Sequence, residues 1–316
     1  MNRRGRVTIM DVAKEAGVSK QTVSRVLNDR PDVAPDTRKQ IKDIIESLGY
    51  RPSAVARSLI QQRSFTLGVV TAGLQYLGPS QTLNGIADKA KELGYALLLI
   101  VLPSFDSKDT RPIVDSLIAR QVDGIIWAVQ EVGENRVWLQ DQLSTLPVPI
   151  IFLTMAKREN FSIVSVDNFT GGKMATQHLV EQGCQKIGHV SGPLDWWEAR
   201  QRIAGWESAL TEAGIEADSV PRTEGNWSSR SGAAAFKSLL DKYPQMDGVF
   251  VGNDQMALSV MQIAHDRGIR IPNDLAVVGF DGLAESAYFW PALTTINQNQ
   301  HELGCIAVQE IVAMID

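Results

Sequence analysis

Residues 7–28 read VTIMDVAKEAGVSKQTVSRVLN and contain two short hydrophobic periods separated by a glycine. In the first period, apolar residues recur at the spacing of one helix face: Ile9, Val12, Ala13 and Ala16. Gly17 ends this helix, because glycine adopts the left-handed backbone of a helix terminus without strain. Ser19 can cap a second helix that Asn28 closes. The inner face of this second helix consists of Thr22, Val23, Val26 and Leu27.

A third helix follows the second after a short connection. Pro35 suits its first position, and Asp36 favours the positive end of the helix dipole. Its buried stripe consists of Ile41, Ile44, Ile45 and Leu48, and Gly49 stops it. A helix, a glycine turn, a second helix and a supporting helix together predict a helix-turn-helix unit.

The outer face of the second helix carries hydrogen-bonding side chains, and in a helix-turn-helix this helix enters the DNA major groove. Gln21 can pair bidentately with adenine, and Lys20 and Arg25 can reach guanine or phosphates. The alternative interpretation is an ordinary solvated helix face. The predicted DNA-binding set in this motif is Ser19, Lys20, Gln21, Thr22, Ser24, Arg25 and Asn28.

Charge is unevenly distributed along the chain. Residues 1–63 carry 13 Lys/Arg and 7 Asp/Glu, whereas the remaining residues carry 18 Lys/Arg and 29 Asp/Glu, for a net charge of −5. A basic head on an acidic body indicates that the head binds a polyanion. A solvated basic tail is the alternative, but a tail would lack the helical periodicity.

Composition indicates an ordinary globular protein, with 44% hydrophobic and 21% charged residues. No apolar run is long enough for a membrane span, so no membrane partner is expected. The basic N-terminus lacks the apolar segment of a secretory signal, and Cys184 and Cys305 do not form a disulfide framework. We therefore expect a cytoplasmic protein, and no metal spacing or cofactor motif is found.

From residue 64 onward, nine strand-like apolar runs alternate with stretches of helical length, from FTLGVVTA (65–72) to LTTINQN (293–299). Strands joined by helices form parallel, doubly wound sheets, and nine strands exceed one sheet. The predicted fold class is α/β: a helix-turn-helix head followed by two doubly wound parallel α/β subdomains that form a clamp.

Polar residues follow several of these runs, where ligands bind in such sheets. Asn253 and Asp254 follow GVFVG, Asp281 ends VVGFD, and Asn168 follows SIVSVD. The alternative role for Asp254 and Asn168 is capping of the next helix. No nucleophile–base pair or phosphate-binding loop is present, so an enzyme is not expected.

The head resembles the lactose-repressor (LacI/GalR) family of bacterial transcription regulators through residues 7–28 and TRKQIKDIIESLGYRPSAVARSL (37–59). The resemblance implies a hinge helix that enters the minor groove of a palindromic operator, with Leu59 as the wedge and Ala56 as its neighbour. Ala34 departs from the family pattern, in which a serine cap is common.

The body resembles the same family through SGPLDWWEARQRIAGW (191–206), EGNWSSRSG (224–232), VGNDQMALSVMQIAHDRGIRIPNDLAVVGFDG (251–282) and PALTTINQNQHELG (291–304). The resemblance implies a clamp like that of the periplasmic sugar-binding proteins. The implied effector-binding residues are Pro79, Thr154, Trp196, Glu198, Arg202, Trp227, Asn253, Asp281 and Gln298. It also implies a homodimer with Leu258 and Phe289 at the dimer interface, and it leaves open whether dimers pair into a tetramer.

Several positions depart from the family pattern and leave the effector open. Thr154 stands where a member has a sugar-binding aspartate, and Gln300 where it has a pocket phenylalanine. Trp196 and Trp197 replace small residues and can either stack on a second sugar ring or pack on their own helix. Trp227 can face a sugar ring or belong to the core.

The sequence thus predicts a repressor controlled by a small molecule, most simply a saccharide or glycoside. A non-sugar ligand, a corepressor, or a transport-type binding protein are the alternatives. The expected divisions are a head at 1–50, a hinge at 51–63 and a body at 64–316. Within the body we expect an N-subdomain of 64–166 and 297–316 and a C-subdomain of 167–296. The family usually continues beyond the last helix, so a truncated C-terminus is expected.

Overall fold

The structure is a computed structural model that describes residues 7–27, 29–51, 63–107, 110–136 and 146–316. The chain divides into two compact units, Met1–Phe65 and Thr66–Asp316. Most of the predicted hinge, residues 52–62, lies outside the described residues, as do Asn28, Ala56 and Leu59. Among the described residues, no helix combines the length and apolar character needed to cross a membrane.

The first unit contains helices α1 (Ile9–Glu15), α2 (Lys20–Leu27) and α3 (Pro35–Ser47). Thr8 caps α1 in a reciprocal box with Asp11, and the Ser19 hydroxyl accepts the Thr22 amide hydrogen at the start of α2. Ala34 precedes α3 without a side-chain cap, and Pro35 occupies its first position. The buried cluster of this unit is Val12, Ala13, Ala16, Val23, Val26, Val33 and Ile41.

The stripe predicted for α3 is only partly buried. Ile41 is fully enclosed, whereas Ile44, Ile45 and Leu48 pack against the cluster from its edge. A three-helix unit of this size has too little interior to enclose all four side chains, because surface area grows relative to volume as a domain shrinks.

The described part of the second unit contains ten strands: β1 (Thr66–Ala72), β2 (Ala96–Leu102), β3 (Gly124–Ala128), β4 (Ile150–Leu153), β5 (Ser162–Val164), β6 (Ile187–Ser191), β7 (Arg222–Glu224), β8 (Gly248–Val251), β9 (Ala276–Asp281) and β10 (Thr294–Asn297). They form two parallel five-stranded sheets, ordered β2-β1-β3-β4-β5 and β10-β9-β8-β6-β7. The α/β fold class predicted from the alternation is therefore confirmed. One strand was missed, because β7 has only three residues at a sheet edge and no apolar run.

Seven helices connect these strands: α4 (Leu77–Glu92), α5 (Arg111–Ala119), α6 (Asn168–Glu181), α7 (Trp197–Glu212), α8 (Ser229–Lys242), α9 (Asp254–Asp266) and α10 (Gln300–Ile315). Helices α6 to α9 pack on the second sheet, which forms the C-subdomain. Helix α10 returns to the first sheet and packs closely against α4, completing the N-subdomain. The chain therefore passes between subdomains twice, after β5 and after β10.

The central strands of each sheet are buried on both faces, whereas Leu99 and Val101 on the edge strand β2 are exposed. In the N-subdomain, β3 and β4 are buried along their whole length and pack with Val70, Leu102 and Leu117. In the C-subdomain, helices cover both faces of the sheet with separate clusters centred on Phe236 and Trp206. Parallel strands with both faces covered are expected to read as continuous apolar runs, which is what made them visible in the sequence.

Candidate functional site

A cavity lies between the two subdomains, at the carboxyl ends of their strands. Its empty volume is about 580 Å³, including space open to solvent. The loops after nine of the ten strands line it, as expected for ligand sites in doubly wound sheets. The nine predicted effector-binding residues all lie here: Pro79, Thr154, Trp196, Glu198, Arg202, Trp227, Asn253, Asp281 and Gln298.

The prediction missed seven further lining residues: Tyr76, Leu77, Gly78, Phe105, Gln130, Gln255 and Gln300. Gln300 was noted only as a departure from the family pattern. Gln255 lies within the quoted motif that begins at residue 251, and the others lie on loops or at the start of α4, where no motif marks them apart from their position just beyond a strand. The position after strands β1, β2 and β3 is the signal that could have pointed to Tyr76, Phe105 and Gln130.

Arg202 is the one cation among the described lining residues, and contacts within the protein already engage most of its guanidinium. Helix α7 presents it, with 5% of the residue exposed. Its Nε donates to Asn168 Oδ1 at 2.8 Å, and its Nη1 donates to the carbonyl of Gly252. The guanidinium also stacks on Phe280, 3.8 Å from the ring centre. Nη2 has no hydrogen-bond acceptor among the described residues and is the nitrogen left for a ligand.

Asp281 ends β9 and faces Arg202, with Oδ1 3.8 Å from Arg202 Nη1. It also accepts a hydrogen bond from Gln298 Nε2. Burial raises the pKa of Asp281, and the attraction of Arg202 opposes that rise. The pair is therefore a loose ion pair with an additional amide donor, so both residues remain partly available to a third group.

Close helix packing fixes the backbone beneath this pair. Helices α6 and α7 touch at Gly172, where a β-carbon would collide with the backbone of Arg202. Gly205 meets the backbone of Phe169 in the same way. Arg202 and Asn168 are thereby held at hydrogen-bonding distance by two glycines, one on each helix.

Asn253 contributes less to the cavity than predicted, because its carboxamide is already occupied. Its Oδ1 accepts the Met256 amide hydrogen and caps α9. Its Nδ2 donates to the carbonyl of Trp227 at 3.0 Å and to Gln255 Oε1 at 2.8 Å. Asn253 thus positions Trp227.

The alternative of Asp254 as a helix cap is wrong, since Asp254 is buried and accepts from Leu283, Ser286 and Thr295.

Backbone strain concentrates in the lining. Thr154, Trp227 and Asp281 have φ angles of 56°, 69° and 127°, a region that disfavours side chains with a β-carbon. Such residues cost about 1–3 kcal/mol each and persist where surrounding contacts hold them. Three of them in one cavity are typical of a binding site rather than of a stability core.

Four aromatic rings form one side of the cavity; two of the ring pairs meet edge to face and the third is tilted. Phe105 and Trp196 lie 4.6 Å apart at 62°, and Trp196 and Trp227 lie 5.7 Å apart at 72°. Tyr76 continues the row, 6.0 Å from Phe105. Trp196 therefore packs on both subdomains while lining the cavity, whereas Trp197 is not among the lining residues.

Glu198 is the most deeply buried carboxylate of the lining. Only 6% of the residue is exposed, and its Oε2 has no hydrogen-bond partner among the described residues. Burial raises the pKa of Glu198 to about 7, although Arg202 and Arg136 attract its charge. Gln130 Oε1 and Trp227 Nε1 are two further buried lining atoms without a described partner.

The rim of the cavity is bridged by backbone hydrogen bonds between the subdomains. The Trp197 amide donates to the Glu131 carbonyl at 3.1 Å, and the Gly133 amide donates to the Asp195 carbonyl at 2.9 Å. The Glu131 carboxylate accepts from the Ala156 amide and from Arg158, which fixes this loop. The two subdomains are therefore joined directly at the rim of the cavity.

On the head, Lys20 and Gln21 are fully exposed on α2. Arg25 is exposed and lies 3.5 Å from Asp32 in a solvent-screened pair. Ser19 and Thr22 bond to each other while capping α2, at 3.0 Å between hydroxyls. Their roles in DNA binding stay predictions.

The predicted dimer residues differ in exposure. Leu258 is 45% exposed, whereas Phe289 packs against the core of the C-subdomain. Its neighbours Tyr288 and Trp290 are 88% and 95% exposed. The aromatic surface available on this loop is therefore formed by Tyr288 and Trp290 more than by Phe289.

Each of the two units matches a known protein family. Residues 8–53 match the model of bacterial regulatory proteins of the lacI family, and residues 176–316 match the periplasmic binding protein-like domain. The chain is 35% identical to catabolite control protein A of Priestia megaterium over 96% of this chain and 91% of that protein. It is 32% identical to the lactose operon repressor of Escherichia coli K12, over 98% of this chain and 84% of that protein.

Solved structures agree with this assignment. The lac repressor dimer bound to operator and the anti-inducer ONPF superposes with a TM-score of 0.86 at 32% identity, covering 98% of this chain and 92% of that chain. A complex of the transcriptional regulator CelR with cellobiose superposes with a TM-score of 0.72 at 30% identity, covering 98% of this chain and 93% of that chain. The predicted family is confirmed: the chain belongs to the lacI family of bacterial regulatory proteins.

Proposed function

We propose that this regulator is a repressor that binds a palindromic operator as a homodimer and that a saccharide or glycoside in the cavity controls its DNA affinity. Regulators of this family are not enzymes. Relatives named for lactose and cellobiose control support the sugar class. The chemistry of the cavity itself supports it independently.

The observation that carries the sugar assignment is the combination of mutually inclined aromatic rings with clustered polar groups. A flat heterocycle is best held between parallel ring faces, and neighbouring rings here meet at 43° to 72°. A puckered sugar ring presents C–H faces in several directions and hydroxyls around its edge. One hydroxyl can accept from Arg202 Nη2 while donating to Asp281, without displacing the bonds that hold either residue.

Control of DNA binding would follow from linkage. A ligand that contacts both subdomains favours the closed clamp and shifts a two-state equilibrium by its differential affinity. In a dimer, that shift would change the spacing of the two heads and with it the operator affinity. A non-sugar ligand that strengthens operator binding is the second candidate, and the sign of the operator response separates the two.

Exposed apolar side chains on the C-subdomain support the homodimer. Leu258, Tyr288 and Trp290 are exposed apolar side chains in chain regions that the family resemblance assigns to the interface, and burying them in a dimer would remove this apolar surface from water. Substituting both aromatics with serine should yield a folded monomer by sedimentation. A variant that still sediments as a dimer would contradict this interface.

Operator readout can be tested with a duplex selected from a random library by the purified protein. Gln21→Ala should weaken the free energy of binding to the selected duplex by about 1–3 kcal/mol. The loss should be much smaller on duplexes in which the one base pair that Gln21 contacts has been changed. Gln40→Ala, on the exposed face of α3, is the matched control. Equal weakening on all sequences would make Gln21 a phosphate contact.

A further inference from the structure

The cavity lining contains buried hydrogen-bonding atoms that the protein leaves unpaired. They are Glu198 Oε2, Gln130 Oε1 and Trp227 Nε1. Two are acceptors and one is a donor, and they come from both subdomains. An unpaired buried polar atom costs about 1–3 kcal/mol, so a ligand that supplies two donors and one acceptor would recover that loss.

We infer that Glu198 selects an uncharged effector, a polyhydroxyl ligand that donates a hydroxyl hydrogen to the Glu198 carboxylate, and that phosphorylated and carboxylated ligands are rejected. This inference rests on the proposed function, because it narrows the class of saccharide that the same cavity takes. It depends on three features of the lining: its charge, the engagement of its cation, and the occupied end of α7.

The ionised forms of the two carboxyl groups in the described lining oppose an anion. Glu198 and Asp281 are its two carboxylates, and Arg202 is its only cation among the described residues. Arg202 already donates to Asn168 and Gly252 and faces Asp281. A phosphate would find at most one free guanidinium nitrogen, whereas phosphate recognition ordinarily uses several donors at once.

The helix end nearest this region is already filled. Helix N-termini attract anions, and α7 begins at Trp197 beside the cavity. Glu198 is the acidic residue of its first turn, and a backbone hydrogen bond to the Glu198 carboxylate stabilises its charge. The side chain therefore occupies the place where a ligand anion would bind.

Charged groups on neighbouring elements do not alter this conclusion. Arg136 attracts the Glu198 carboxylate and Glu131 repels it, but neither lines the cavity. Arg158 pairs with Glu131. The group that a ligand meets at this point is therefore Glu198.

The test compares matched ligands that differ in charge. The probes are D-glucose, D-galactose, cellobiose and maltose, each measured against its 6-phosphate and its aldonate by calorimetry on the full chain. The uncharged member of any binding pair should bind at least tenfold more tightly. Glu198→Gln, which keeps the shape and removes the charge, should reduce that discrimination at least tenfold, whereas Glu212→Gln at the far end of α7 should not.

The pH profile separates ligand contact from a structural role. A hydroxyl that donates to the carboxylate stabilises its charged form, so affinity for the uncharged probe should rise several-fold from pH 6 to pH 8. In Glu198→Gln this rise should disappear. A merely structural Glu198 would change the melting temperature but not the charge discrimination or its pH profile.

The outcomes are distinguishable. If sugar phosphates or aldonates bind as tightly as the uncharged sugars to the unmodified protein, the inference is overturned and the saccharide assignment stands. Unchanged discrimination in a folded Glu198→Gln variant also overturns it. If no saccharide of either charge binds, the proposed function fails and the inference fails with it.

Discussion

The two halves of the body have the same strand order but supply different chemistry to the cavity between them. The N-subdomain contributes seven uncharged residues: Tyr76, Leu77, Gly78, Pro79, Phe105, Gln130 and Thr154. Among the residues that the structure describes, the charged groups of the lining all come from the C-subdomain: Glu198, Arg202 and Asp281. The same fold therefore supplies two different surfaces to the cavity. The seven N-subdomain residues form an uncharged wall, and Glu198, Arg202 and Asp281 form a charged wall.

The largest effect is expected on the charged wall. Replacing Arg202 with methionine leaves Asp281 and Asn168 without their buried partner, which should lower the free energy of unfolding by about 3 kcal/mol or more. Urea titration at pH 7 measures this. Arg200→Met, an exposed arginine on the same helix, should stay within about 0.5 kcal/mol. Equal stability of the two variants would show that the wall is not held by Arg202.

A second test uses pH. Burial raises the pKa of Glu198 to about 7 from 4.5, so the folded state retains a proton that the unfolded state has released. Stability from this group is present at low pH and is lost as pH rises towards and through 7, by about 2–3 kcal/mol between pH 5 and pH 8. Glu198→Gln should become more stable than the unmodified protein by that amount over this range.

Comparison of the two proteins isolates Glu198 from other titrating groups. His189 is buried between Trp206 and Phe250, and burial lowers its pKa to about 3. Its contribution has the opposite sign, because stability is lost as pH falls below 6.5. His189 is present in both proteins and cancels in the difference. A difference that does not vary with pH would contradict the raised pKa of Glu198.

The uncharged wall should give a smaller effect of a different kind. Phe105→Leu removes the edge-to-face contact with Trp196, which joins the two subdomains. Loss of about 1 kcal/mol should weaken an uncharged sugar about fivefold while leaving charge discrimination unchanged. Phe161→Leu, which packs on Phe152 away from the cavity, is the control. A change in charge discrimination would show that the uncharged wall also contributes to the selection of ligand charge.

The smallest effect is expected at the crossover between the walls. Thr82 donates to Gln300, Gln300 donates to Gln298, and Gln298 donates to Asp281, which links α4 to the charged wall. Gln300→Leu should leave sugar affinity within about 1 kcal/mol, the value of one or two neutral hydrogen bonds. The operator response to the sugar should decrease more than the affinity does. An unchanged response would exclude this chain of hydrogen bonds from the coupling.

The sequence was most informative where structure is periodic. The helices of the head and nine of ten strands follow from apolar spacing, because each buries one face or both. Strand β7 escaped, since a three-residue edge strand carries no pattern. The sequence predicted the cavity residues that belong to recognisable motifs. It did not predict Tyr76, Phe105 and Gln130, because the sequence of a loop does not show which other loops it will meet.

Side-chain partners were the least predictable feature. Asn253 lines the cavity, but its amide also holds Trp227, and Asp254, for which capping was the alternative role, links α9 to β10 and to the segment that precedes β10. These bonds connect residues 26 to 41 positions apart. Their geometry depends on strand order and helix packing, which a local pattern does not contain.

The central claim is that a saccharide in this cavity controls operator affinity. It is tested most directly by titrating the full chain into a fluorescent, library-selected operator duplex, with and without the uncharged sugar that binds most tightly by calorimetry. The account predicts at least a tenfold loss of operator affinity with the sugar, and no such loss for an Asp281→Asn variant that binds DNA normally. An operator affinity that the bound sugar leaves unchanged would contradict the account.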